Sequence, residues 1–313
     1  MENVKRINYI NEYLKEKFGE RTLKIGIDGG FTCPNRDGKK GIGGCIFCSE
    51  RGSGEHLKGQ TSIEEQVENY FSSYKSKRAN SFIIYFQNFS NTYDGLESLK
   101  TKYDTALETA ERVIDELGLD KKIVGLSIAT RPDCINEAVC KLLSTYTNKY
   151  EVTVELGIQT SNDETGKLIN RCYTSRDFTD AVCLLNKYEI DVVAHMMVGL
   201  PEESHEDIVN TVNFLNGHYI QGVKIHSTYI VENTELKKLY DNKKYSPITL
   251  EEYLKEVIYI ITHLNPDFVV HRISGDAPKD ILVAPEWNHH KKLVLNGVFN
   301  TLKKDNLWQG MYF

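Results

Sequence analysis

An α/β fold of parallel strand–helix–strand units is predicted, either a barrel or a doubly wound sheet. Three observations carry the prediction. Six short β-rich runs succeed one another along the chain. Amphipathic segments of helix length lie between them. No Pro/Ser-rich linker and no internal repeat interrupts the 313 residues, which read as one continuous domain with an appendage.

In chain order, an amphipathic helix is expected over residues 4–18. The β-rich runs follow at 23–27 (Leu-Lys-Ile-Gly-Ile), 82–86 (Phe-Ile-Ile-Tyr-Phe), 123–128, 152–158, 191–198 and 222–229. Segments 62–74, 103–117 and 201–215 carry the helical pattern. A last block over 250–264, 268–273 and 287–302 reads as a C-terminal extension. The expected division is therefore an N-terminal helix over 1–20, the strand–helix units over 21–230 and the extension over 231–313.

Apolar residues make up 40% and charged residues 26%, which excludes disordered, collagen-like and low-complexity classes. No apolar run approaches the ~20 residues of a membrane span. The first 18 residues are charged and helical rather than signal-like, so a cytoplasmic protein without membrane contact is expected. With 38 basic against 44 acidic side chains the net charge is −6, so any nucleic-acid contact must use a local patch. Seven cysteines, an odd number, point to a reducing compartment and thiolate chemistry rather than disulfides.

The strongest chemical signal follows the first β-rich run. It reads Asp28-Gly-Gly-Phe-Thr-Cys33-Pro-Asn-Arg-Asp-Gly, then Gly43-Gly-Cys45-Ile-Phe-Cys48. Cys-x-x-Cys lets two thiolates converge on one metal centre, and the glycines let backbone amides turn towards sulfur. Three thiolates can hold three irons of a [4Fe–4S] cluster and leave the fourth open. The same three cysteines with His56 would equally supply a tetrahedral Cys₃His zinc site. From the loop alone both remain open.

The arrangement resembles the radical S-adenosylmethionine (SAM) enzymes, which place a three-cysteine cluster loop after the first strand of a partial (β/α)₆ TIM-like barrel. Eleven residues separate Cys33 from Cys45, longer than the usual Cys-x₃-Cys-x₂-Cys. The long spacing resembles the branch containing the Elongator catalytic subunit. Still more closely it resembles small bacterial radical SAM proteins with Cys-Pro-Asn-Arg-Asp-Gly followed by Gly-Gly-Cys-x-Phe-Cys. The resemblance implies a [4Fe–4S] cluster on Cys33, Cys45 and Cys48, with Phe47 bordering the SAM adenine.

Further residues acquire roles from it. Glu155 and Gln159 are four apart on one strand and so share a face. A carboxylate in an apolar parallel strand is costly unless paired or liganded, and Glu155 is expected among the SAM contacts, with a satisfied core hydrogen bond as the other reading. The resemblance to coproporphyrinogen oxidase-like enzymes puts Gln159 near SAM. It gives Arg171, twelve residues on, the SAM carboxylate, a task suited to a guanidinium fork. Gly199, in Gly-Leu-Pro, would let the backbone approach the adenine. His195 stands where relatives carry a ribose-binding acid, and a core histidine with a partner is the other reading. Gln87-Asn88 replaces the common Gly-Gly-Glu that meets the SAM amino group, and Thr130 replaces an acid at the third strand's end.

Lys224 and His226 alternate with apolar neighbours and share a face, either the barrel interior or the helix side. With Arg272 and Asp276 they are the expected substrate contacts, and Cys172 is a candidate hydrogen-atom donor. The resemblance implies a radical enzyme acting on the tRNA wobble uridine, converting a carboxymethylaminomethyl to an aminomethyl group. Its partners would be tRNA and a one-electron reductant such as flavodoxin or ferredoxin, with no stable protein partner. The alternatives are a radical SAM enzyme acting on a small metabolite or cofactor precursor, and a zinc-containing, non-enzymatic RNA-binding protein.

Overall fold

The computed structural model describes residues 5–52, 61–275 and 277–313. Seven strands form one parallel sheet in the order of the chain: β1 (Thr22–Ile27), β2 (Ser81–Phe86), β3 (Lys122–Thr130), β4 (Glu151–Gln159), β5 (Asp191–Val198), β6 (Gly222–Ser227) and β8 (Val269–Arg272). A two-residue strand β7 (Ile230–Val231) pairs antiparallel with β9 (Leu282–Ala284). The helices are α1 (Ile10–Phe18), α2 (Ile63–Ser72), α3 (Leu96–Glu116), α4 (Glu137–Ser144), α5 (Asp163–Leu168), α6 (Ser175–Lys187), α7 (His205–Asn216), α8 (Glu235–Asp241), α9 (Leu250–His263) and α10 (Lys291–Lys304).

Side-chain contacts show that the sheet curls. Glu155 on β4 bonds Lys24 from β1 and Lys224 from β6. In a flat sheet β1 and β6 would stand roughly 24 Å apart, five strand spacings. The expected partial barrel is the observed class. It carries a seventh parallel strand, β8, which comes from the segment expected as the extension. Its register against β6 shifts at Lys224, which faces Arg272.

Period-2 alternation sorts the side chains. On β2, Phe82 and Phe86 face outward and meet the rings of Phe71 on α2 and Tyr103 on α3. Tyr85 faces inward to Glu155. The apolar core therefore lies between sheet and helices, and the sheet's inner face is left to polar groups. Four helices start on capping boxes, with Ser62–Glu65, Thr174–Asp177, Ser204–Asp207 and Thr249–Glu252 reciprocally bonded. Each satisfies orphan amides and sets where its helix leaves the sheet.

Candidate active site

The C-terminal ends of the strands open onto a cavity of about 240 Å³. Cys33, Cys45, Phe47 and Cys48 from the loop after β1 line it, with Gln87 after β2 and Thr130 at the end of β3. Gln159 closes β4, and Glu155, His195, Lys224, His226 and Arg272 also line it. The expected site residues thus converge where parallel barrels place their chemistry. Lys224 and His226 face the interior, not the helices.

The cysteine loop is held open by its own turns and by a clasp. Cys33 O accepts from Arg36 N at 2.8 Å and Cys45 O from Cys48 N at 2.9 Å. The turn after α5 supplies the clasp: Asn170 Nδ2 donates to Gly44 O (2.7 Å) and Ile42 O (3.1 Å), and Ile46 N donates to Ile169 O (3.1 Å). Asn170 and Cys172 both have positive φ, at 54° and 61°, a strain the docked loop stabilises.

Arg171 corrects an expectation. It is fully buried and does not line the cavity. Its guanidinium donates to Tyr173 O (3.0 Å), Thr160 O (2.7 Å), Ile158 O and Asp163 Oδ1 (2.8 Å). A side chain committed to three carbonyls and a carboxylate has no fork left for a SAM carboxylate. Gly166 of α5 makes room for it, since a Cβ there would stand 2.7 Å from its Nη2. Three other expectations change too. Asn88 lies outside the cavity and donates to Asp28 Oδ2 at 2.7 Å. Gly199 (φ 86°) packs under Ile248, where a Cβ would come within 2.8 Å, rather than facing the cavity. Cys172 is exposed, beside Asn170, and is not among the residues lining the cavity. Asp276 and His56 lie outside the described residues.

The residue the sequence reading passed over is Arg131, next to Thr130. It lines the cavity, grips Asp133 through Nε and Nη2 at 2.9 Å, and points Nη1 at Cys33 Sγ (3.9 Å) and Arg171 O (3.0 Å). Tyr173 was also missed. Its hydroxyl donates to Gln159 Oε1 (2.7 Å), holding that amide on the strand end. So were Lys24 and Tyr85, partners of Glu155. Polar residues at inward positions of β-rich runs were the available signal for both.

Electrostatics set the cavity's character. Glu155 is buried, which alone would raise its carboxyl. Lys224, Lys24 and His195 reverse this and hold it well below the usual carboxylate range. Burial pushes the Lys224 ammonium down to about 7 despite Glu155. It also lowers His195 to about 4, with Lys224 adding to the shift. His195 Nε2 lies 2.9 Å from Glu155 Oε2, so it is the partnered histidine and lines the cavity as well.

The thiols suit an iron–sulfur cluster. Burial, then the neighbouring Cys48, pushes the Cys45 thiol up to about 12, so only a bound cation would make it a thiolate there. Among the described residues no three His, Cys, Asp or Glu side chains close on a single metal ion. Zinc needs all its thiolates at about 2.3 Å from one ion, whereas in a cluster each takes a different iron.

Fold and site define a partial α/β barrel with a three-cysteine loop at the C-terminal ends of its strands. Residues 33–215 match the radical SAM superfamily and residues 220–304 the radical SAM C-terminal domain. The chain belongs to the radical SAM superfamily, enzymes that use a [4Fe–4S] cluster and SAM. It is 33% identical to YtqA of Bacillus subtilis (strain 168), covering 99% of this chain and 93% of that protein. A tRNA uridine(34) acetyltransferase of Dehalococcoides mccartyi (strain CBDB1) is 32% identical over 162 residues, half of this chain and 34% of that protein. The solved Elp3 of the archaeon Methanocaldococcus infernus, with an N-terminal deletion, superimposes with a TM-score of 0.67 at 19% identity. That match covers 92% of this chain and 64% of Elp3, a likeness of fold.

Proposed function

We propose that this enzyme modifies the wobble uridine of tRNA, turning a carboxymethylaminomethyl group on carbon 5 into an aminomethyl group. The CH2 beside the carboxylate loses a hydrogen atom and, to a one-electron acceptor, a further electron; water adds, and the N–C bond breaks to release the two-carbon unit as glyoxylate. The observation that carries the substrate class is the similarity of half the chain to a tRNA uridine(34) acetyltransferase. The geometry supports a substrate that reaches in from outside. The cavity opens at the strand ends beside the cysteine loop, and α8 packs on that loop through Leu236 N to Ile46 O at 2.9 Å. Lys237 and Lys238 follow Leu236 on α8, next to the helix's contact with that loop. A wobble base must swing out of its loop to enter such a site.

In this reading Cys33, Cys45 and Cys48 hold the cluster, and Phe47, Gln87, Thr130 and Gln159 surround SAM. Bound there, the cluster and SAM would supply the radical chemistry that takes a hydrogen atom from a C–H bond of the substrate. The chain's own residues orient that bond and exclude water. Tyr173 fixes the Gln159 amide, and Arg131 directs an N–H at the Cys33 sulfur, where it would favour a more negative sulfur and a more readily reduced cluster. A one-electron reductant such as flavodoxin or ferredoxin completes the cycle. Among the described residues no helix is long and apolar enough to cross a membrane.

Nucleoside mass spectrometry of tRNA from cells with and without the gene tests the substrate. Carboxymethylaminomethyluridine should accumulate in the deletion strain, and complementation with Cys33→Ala, Cys45→Ala or Cys48→Ala should not remove it. An unchanged wobble-nucleoside profile sinks the tRNA reading and leaves a small metabolite as the substrate.

A further inference from the structure

The barrel floor holds more positive charge than its carboxylate neutralises. Midway along the strands, Glu155 Oε1 accepts from Lys24 (2.6 Å) and Ser127 (3.1 Å). Its Oε2 accepts from Tyr85 (2.6 Å) and Lys224 and lies 2.9 Å from His195. Both oxygens are used up. Two ammonium groups on one carboxylate leave one positive charge, and the Arg272 guanidinium of β8 stands beside Lys224. Burial keeps the imidazoles of His195 and His226 neutral, so they add none at neutral pH.

Donors remain as well as charge. An ammonium has three N–H groups. Glu155 and the Tyr85 hydroxyl (3.1 Å) take two from Lys224, which leaves one at the cavity wall. His226, two residues along the same face of β6, has a buried Nε2 with no partner among the described residues. An unsatisfied buried nitrogen costs about 1–3 kcal/mol and persists where a ligand completes it. Register places His195, Lys224 and Arg272 side by side on β5, β6 and β8.

We infer that this floor is the seat of one carboxylate on the substrate, its two oxygens taken by the third Lys224 N–H and by His226 Nε2. Two inward donors match the two oxygens of one carboxylate; a phosphate would bring a third and fourth oxygen for which the floor offers no such donor. The inference rests on the proposed function and deepens it: the end of the substrate's side arm, not its uracil, is what the floor recognises. Anchored there, the arm presents the C–H bond beside its carboxylate to the upper cavity, where the cysteine loop lies.

Seven groups surround the Lys224 ammonium: Lys24 of β1, Tyr85 of β2, Glu155 of β4, His195 of β5, His226 of β6, and His271 and Arg272 of β8. With the seat empty, Lys224 loses its proton near pH 7, and a bound carboxylate favours the charged form. Carboxylate affinity therefore rises as pH falls through 7.

The test uses the SAM-loaded holoenzyme and two ligand pairs, each differing by one carboxylate. The first pair is an anticodon stem-loop bearing carboxymethylaminomethyl- or aminomethyl-uridine; the second is N-methylglycine or its uncharged amide. Wild type should prefer the carboxylate member of each pair by roughly tenfold, with the preference growing from pH 8 to 6.5. Lys224→Met and, as an independent variant, His226→Leu should each reduce it, with iron content confirming the fold. Discrimination between the small ligands but not between the stem-loops keeps the seat and removes the tRNA reading. Discrimination by neither pair, or its survival intact in both variants, overturns the seat.

Discussion

At the scale of the residue, Arg171 shows how a side chain's surroundings reassign its role. Its charge is spent inside, on the carbonyls of Ile158 in β4 and of Thr160 and Tyr173 in the β4–α6 connection, and on Asp163. Its neighbour Asn170 grips the cysteine loop at Ile42 and Gly44. Arg171→Lys keeps the charge but loses the planar fork. It should destabilise the protein by on the order of 3 kcal/mol, because buried acceptors are left unpaired. Iron retained after anaerobic reconstitution should fall with it, while the loaded fraction keeps its affinity for SAM. Full iron content with a SAM affinity down about a hundredfold would restore the carboxylate role.

At the scale of the element, the β6–β8 pair and α8 carry the predictions. Gly222 opens β6 where a Cβ would stand 2.2 Å from the Val269 carbonyl oxygen, a backbone atom that cannot move aside. Gly222→Ala should cost at least about 2 kcal/mol, read as a lowered melting temperature; an unchanged one would mean β8 is loosely held. On α8, Lys237 pairs with Asp241 (2.8 Å) and Lys238 with Glu235 (2.5 Å). Such exposed pairs are weak and screened, so phosphates can compete for both lysines. Charge reversal at both should weaken tRNA binding and flatten its log–log salt dependence by about 2. An unaltered salt slope removes α8 from the path of the nucleic acid.

At the scale of the whole molecule, the buried histidines make the fold acid-sensitive. Burial, aided by neighbouring cationic and imidazole groups, holds His195 near 4 and His226 and His271 well below the ordinary histidine range. The unfolded chain takes up these protons near pH 6.5 and the folded chain does not. Stability is therefore lost as pH falls from about 6.5 towards 4, by up to about 1.4 kcal/mol per pH unit for each histidine. Lys224 acts in the same direction from about 7 upward, where the unfolded chain still holds the extra proton. Urea midpoints should fall steadily from pH 7 to 5; a flat profile would show that these imidazoles titrate in the native state.

Local signals in the chain determined the strands, the position of the cysteine loop, and the polar residues inside β-rich runs. Period-2 alternation and metal-ligand spacing are properties of neighbouring residues. Glu155, Gln159, His195, Lys224 and Arg272 were legible for that reason. Curling of the sheet was implied by the resemblance to a partial barrel and not by periodicity, which left a doubly wound sheet open. Curling brings β1 against β6, gives Glu155 two ammonium partners from opposite ends of the barrel, and makes β8 a seventh strand. Nor could spacing show that Arg171 turns inward while Arg131 faces the cysteines. Both follow a polar strand end, and only packing against the loop decides which guanidinium has carbonyls to satisfy and which has a cavity before it.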